Sequence, residues 1–100
     1  MEAPEVEYES IDAKRGMLIV TIETESGKPA PGRTVVELKL ADPEGRVTDE
    51  SGRYTVERGR LEIPVHFAEG DLKGGFFSSR WCAEITDLTT GKSGSCKFRR

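Results

Sequence analysis

Apolar and polar residues alternate along most of this chain, and clusters of Gly, Pro, Asp and Ser break the alternation at short intervals. "RTVVELKL" sets Val36, Leu38 and Leu40 on one side and Glu37 and Lys39 on the other. "LEIPVHF" sets Leu61, Ile63, Val65 and Phe67 against Glu62, Pro64 and His66, and "EVEYESI" sets Val6 and Tyr8 against Glu5, Glu7 and Glu9. Successive side chains of a strand point to opposite faces, so each segment predicts a strand with one buried face. "MLIVTI" is apolar without a break and predicts a central strand, covered on both sides or twisted into the core. "SGKPAPG", "DPEG", "DESGR" and "ERGR" are turns by composition. Pro64 cannot donate to a ladder, so its strand should lie at an edge or carry a local break. Two more strands, over residues 80–86 and 93–99, close the chain. No stretch keeps a 3.6-residue apolar period, so no long helix is expected. About seven short strands with regular turn signals predict an antiparallel β-sandwich, and 100 residues make one domain of it.

Charge and composition narrow the partners. The net charge of −3 gives no broad attraction to nucleic acid or to an anionic membrane. No apolar run approaches the ~18 residues of a membrane span. "MEAPEVEYES" has neither the basic nor the apolar region of a signal peptide. The chain contains no Asn, and so no N-glycosylation acceptor.

The segment richest in chemistry is "RWCAEITDLTTGKSGSCKF". "DLTTGK" fits a four-residue hairpin loop, residues 88–91, closed by Gly91 in the left-handed conformation. That register pairs Asp87 with Lys92, Ile85 with Gly94, Ala83 with Cys96 and Trp81 with Phe98. It puts Trp81, Ala83, Ile85, Cys96 and Phe98 inside, leaving Cys82 exposed and Cys96 buried. A disulfide needs both cysteines on one side of the ribbon, so none is expected. Two cysteines and a distant His66 do not make a zinc spacing, and no metal is expected. "GKS" lacks the upstream glycine and the following helix of a phosphate loop. With one His, no Gly-x-Ser-x-Gly and acids on alternating strand positions, the chain reads as non-enzymatic and without a cofactor. Trp81 is in phase with the core, which removes it as a sugar-stacking platform.

Two stretches carry a family likeness. "SGKPAPGRTVVELKL" resembles the opening of bacterial immunoglobulin-like and macroglobulin-like domains, with a Gly-x-Pro-x-Pro-Gly turn before an alternating strand. "GRLEIPVHFAEGDLKGGFFSSRWCAEITDLTTGKSGSCKF" resembles the end of such modules: an apolar-x-Ile-Pro strand, a loop, Arg-Trp, then a hairpin with Asp-x-x-Thr-Gly at its tip. The resemblance implies an immunoglobulin-like β-sandwich, excised from a larger secreted, periplasmic or cell-surface protein. It implies an accessory module, of the kind found beside catalytic domains such as glycoside hydrolases, and it brings no catalytic residue. The loop over residues 69–79 is longer and more apolar than in such modules. In a sandwich of this kind the first and last strands can lie side by side. The five acids of the first twelve residues would then face the three bases of the last four.

The functional expectation is therefore a non-catalytic interaction module, whose partners are neighbouring domains or another protein. Within "EGDLKGGFFSSR", Gly74 and Gly75 permit a sharp bend and Phe76 and Phe77 follow at once. These two phenylalanines are the candidate docking residues; the competing reading is that one plugs the open end of the sandwich. A carbohydrate-binding module is the alternative function.

Overall fold

The structure, a computed structural model, describes residues 2–12, 14–66 and 80–99. It contains seven strands: β1 (Glu5–Ser10), β2 (Arg15–Thr21), β3 (Arg33–Ala41), β4 (Gly52–Glu57), β5 (Arg60–His66), β6 (Trp81–Asp87) and β7 (Ser93–Phe98). No helix occurs among the described residues. All paired strands are antiparallel, in the order β1-β2-β5-β4-β3-β6-β7. The two ends of that order, β1 and β7, come back into contact, so the sheet is nearly closed and barrel-like. The all-β, seven-stranded expectation is met. The division into two facing sheets is not drawn by the hydrogen bonding, which links every strand to the next.

Period-two burial is the reason these segments are strands. In β3, Thr34, Val36, Leu38 and Leu40 are buried while Arg33, Val35, Glu37 and Lys39 are exposed. Leu18, Val20 and Ile22 from the β2 segment, Ile63 and Val65 from β5, and Ala83 and Ile85 from β6 meet them in one core. Each fully buried Leu, Ile or Val side chain contributes about 1.5–3 kcal/mol relative to exposure. The unbroken "MLIVTI" run also has its explanation. β2 is central between β1 and β5, and its outward residues are half-buried, Met17 between Glu9 and Pro64, Ile19 between Glu7 and Glu62.

The sheet has two loose joints. β4 and β5 share a single register pair, Glu57 with Arg60, across the turn Arg58–Gly59. Both turn residues have positive φ, 53° and 76°, the two-residue hairpin turn whose twist matches that of strands. Beyond Arg60, β5 is laddered only to β2 among the described residues. Backbone groups on a strand alternate in direction. Since Arg60 faces Glu57, the nitrogen of Pro64, four residues on, faces the same open side and costs the β2 ladder nothing.

The second joint is the seam between β1 and β7. Tracing the antiparallel order makes these strands parallel neighbours. Tyr8 stacks on Phe98 with ring centroids 4.0 Å apart. At the other end Gly94 lies so close to the carbonyl of Pro4 that a side chain there would collide with it. The offset is the same at both places, so Glu7 runs abreast of Lys97 and Glu9 of Arg99. The expected meeting of opposite charges is therefore one of position. Among the described residues no ion pair within 4 Å joins these acids to Lys97 or Arg99. No ladder joins the two strands either.

Candidate functional site

The C-terminal hairpin has the register Trp81–Phe98, Ala83–Cys96 and Ile85–Gly94. Its loop closes with Asp87 N–H donating to Lys92 O and Gly91 N–H donating to Asp87 O, both at 2.8 Å, and Gly91 has φ 75°. Trp81 is 5% exposed and lies near Phe98 in the core. The cysteines do not divide into an exposed Cys82 and a buried Cys96, and that expectation is corrected. Both are half-buried free thiols. Cys82 lies on the outer face but is walled by its ladder neighbours Ala41 and Lys97. Cys96 lies on the inner face of β7, the last strand of the sheet, where the core covers it from one side. Burial, and then the nearby charges of Cys82 and Glu7, push the Cys96 thiol up from its ordinary value.

Among the described residues, three turns open with an aspartate that caps the turn's own backbone. Asp12 Oδ1 accepts from Lys14 N–H and Arg15 N–H at 2.9 Å, and its Oδ2 accepts from Arg15 Nε at 2.8 Å. Asp42 does the same one residue wider: Oδ1 accepts from Glu44 N–H and Arg46 N–H at 2.9 Å, and Oδ2 from Arg46 Nε at 3.0 Å. In Asp87, Oδ1 accepts from Thr89 N–H at 2.8 Å and Thr90 N–H at 3.3 Å. Its Oδ2 is buried with no hydrogen-bond partner among the described residues. The first two carboxyls are held below the usual carboxylate range. For Asp12 the Lys14 backbone N–H leads, followed by the Arg15 side chain. For Asp42, burial pushes upward, and the Arg46 and Glu44 backbone donors with the Arg46 guanidinium outweigh it.

Asp87 was not singled out from the sequence, although the signal was there. The alternation that puts Trp81, Ala83 and Ile85 inside continues to position 87, which is 0% exposed. Among the described residues, four large apolar side chains are exposed: Val47 at 56%, Ile11 at 52%, and Val35 and Leu88 at 43% each. Leu88 N–H donates to Val35 O, which makes Val35 and Leu88 neighbours on the outer face, where Val35 pairs with Thr55 and is flanked by Arg33, Glu37, Arg53 and Glu57. His66 is exposed on the outer side of β5. No group of three or more metal-ligating side chains occurs among the described residues. An open cavity of about 280 Å³ lies where the start of β1 meets β7, lined by Glu2, Pro4, Glu5, Glu23 and Gly94 among others. Phe76 and Phe77, the docking candidates, lie outside the described residues.

No protein-family model, no curated protein and no solved structure matches this chain.

Proposed function

We propose that the chain is a non-catalytic accessory module that docks other protein surfaces, and that its sheet is an immunoglobulin-like sandwich. The sandwich reading divides the strands into β1-β2-β5 and β4-β3-β6-β7. It is supported by the two places where pairing fails: the single pair between β4 and β5, and the unladdered seam between β1 and β7. The docking reading is carried by the adjacent Val35 and Leu88 on the outer face of β3 and β6. Two adjoining exposed apolar side chains flanked by charge offer a partner a small apolar contact with a polar surround. Phe76 and Phe77 stay in the proposal as a second docking point, and a secreted or cell-surface setting belongs to the same reading.

The test is a titration of this domain against the polypeptide encoded immediately upstream of Met1, followed by calorimetry. The substitutions Val35→Lys with Leu88→Glu should abolish association and shift the melting temperature by no more than a few degrees, since surface changes are usually worth less than about 0.5 kcal/mol each. Phe76→Ser with Phe77→Ser separates docking from plugging: lost association at full stability means docking, lost stability means a plug. Binding to a glycan array, retained by the Val35/Leu88 variant, would replace this reading with a carbohydrate-binding one.

A further inference from the structure

The polarity of the strands sets where the chain enters and leaves the domain. β1, β5, β3 and β7 run one way, and β2, β4 and β6 the other, because every neighbouring pair is antiparallel. β1 therefore begins, and β7 ends, at opposite poles of a molecule whose longest dimension is 43 Å. The starting pole also holds the Arg58–Gly59 turn and the 88–91 hairpin loop, and because β2 ends there Glu2 N–H donates to Glu23 O. The leaving pole holds the Asp12 and Asp42 turns. Polypeptide attached before β1 and polypeptide attached after β7 would point away from each other.

We propose that the domain is an in-line tension element, in which a pull on its two ends is carried as shear along the β1–β7 seam. This rests on the accessory-module reading, since tension needs neighbours on both sides. Pulling the start of β1 toward one pole and the end of β7 toward the other slides two parallel strands past each other. Every seam contact then resists at once instead of opening one by one. With no ladder between β1 and β7, the resistance of the seam is made by side chains and close backbone packing. Its two fixed points are the Tyr8–Phe98 ring stack at 4.0 Å and the Pro4 carbonyl seated on Gly94. The ladder from β1 to β2 is sheared by the same displacement. Tyr8 has a second hold, because its ring lies over Gly16 of β2, where a side chain would collide with it. One aromatic ring thus fastens β1 both to its ladder partner and across the seam.

Single-molecule force spectroscopy tests this with two attachment geometries. In the first, handles are fused to the two ends. In the second, one handle is fused to the N-terminal end and the other joined at Thr90, at the same pole, so that the seam is peeled from one end. The rupture force should be several-fold higher end to end. Tyr8→Leu, which keeps an apolar filler and removes the ring stack, should lower the end-to-end force and leave the peeling force unchanged. Tyr8→Phe, which keeps the ring, should restore it. Equal rupture forces in the two geometries would overturn the proposal, as would an end-to-end force indifferent to Tyr8→Leu. Circular dichroism melting of each variant shows that a lowered force comes from a folded domain. The titration against the neighbouring polypeptide is a separate measurement, so a failed docking partner and a failed tension path give different results.

Discussion

The turns at the two poles of this domain use one device under opposite conditions. At the leaving pole Asp42 caps its turn in partial exposure, and Arg46 closes on its second oxygen. At the starting pole Asp87 caps a hairpin through one oxygen, with one short and one longer bond, while fully buried, and its second oxygen meets no partner among the described residues. A carboxylate at a turn is favourable for the backbone donors it satisfies. Whether its remaining oxygen helps or hurts depends on water and on a cation being near. The comparison separates the capping contribution from the cost of the second oxygen that comes with it.

Substitutions can break that comparison, and the largest effect should come from Asp87→Ala. It removes acceptors from Thr89 and Thr90 and leaves a void in the core, and should cost about 1–3 kcal/mol. At roughly 4–8 °C per kcal/mol for a domain of this size, calorimetry reads this directly. Next, Asp42→Ala should cost about 0.5–1.5 kcal/mol, because the two backbone donors it frees can turn to water. The sharpest contrast is the amide swap. Asp87→Asn keeps an acceptor for the turn and can put an amide where the unpartnered Oδ2 stands, so stability should hold or rise. Asp42→Asn loses the Arg46 pairing and should fall. If both fall equally, the unpartnered oxygen of Asp87 costs nothing and the comparison collapses.

Acid supplies a smaller effect. The Asp42 carboxyl is depressed in the folded state, so its stabilisation is complete above its ordinary value of 3.8 and is lost as pH falls below that, through the depressed folded value. Arg46→Ala should flatten this acid limb in a pH series of unfolding midpoints. Arg15→Ala should do the same at Asp12 with the smallest change of the set, because that pair is open to solvent on both sides and screened. High salt should shrink the Arg15 effect before the Arg46 effect.

Local chemistry made much of the fold legible. The alternation of β3, the closure of the hairpin by Gly91 and the break in pairing beside Pro64 each follow from a few adjacent residues. The near-closure of the sheet does not. It depends on β4 and β5 parting after Glu57 and Arg60, and on Tyr8 finding Phe98 ninety positions away, and neither is written in a local pattern. The cysteines show the intermediate case. The register followed from turn length, but the half-burial of Cys82 and Cys96 depends on which strands flank β6 and β7. Asp12, Asp42 and Asp87 look alike as turn residues, and only the depth of β6 in the sheet distinguishes the last.

Pro64 has a consequence of a different kind. A sheet that opens between β4 and β5 leaves one side of β5 unladdered among the described residues, and a bare strand of alternating Leu61, Ile63 and Val65 is a template on which other chains can add. Proline at the centre of that side removes a donor where a docking strand would need it, without weakening the pairing to β2. Pro64 is therefore expected to hinder strand addition on that side. Pro64→Thr, at unchanged folding stability, should shorten the lag before thioflavin-positive aggregates form at high protein concentration.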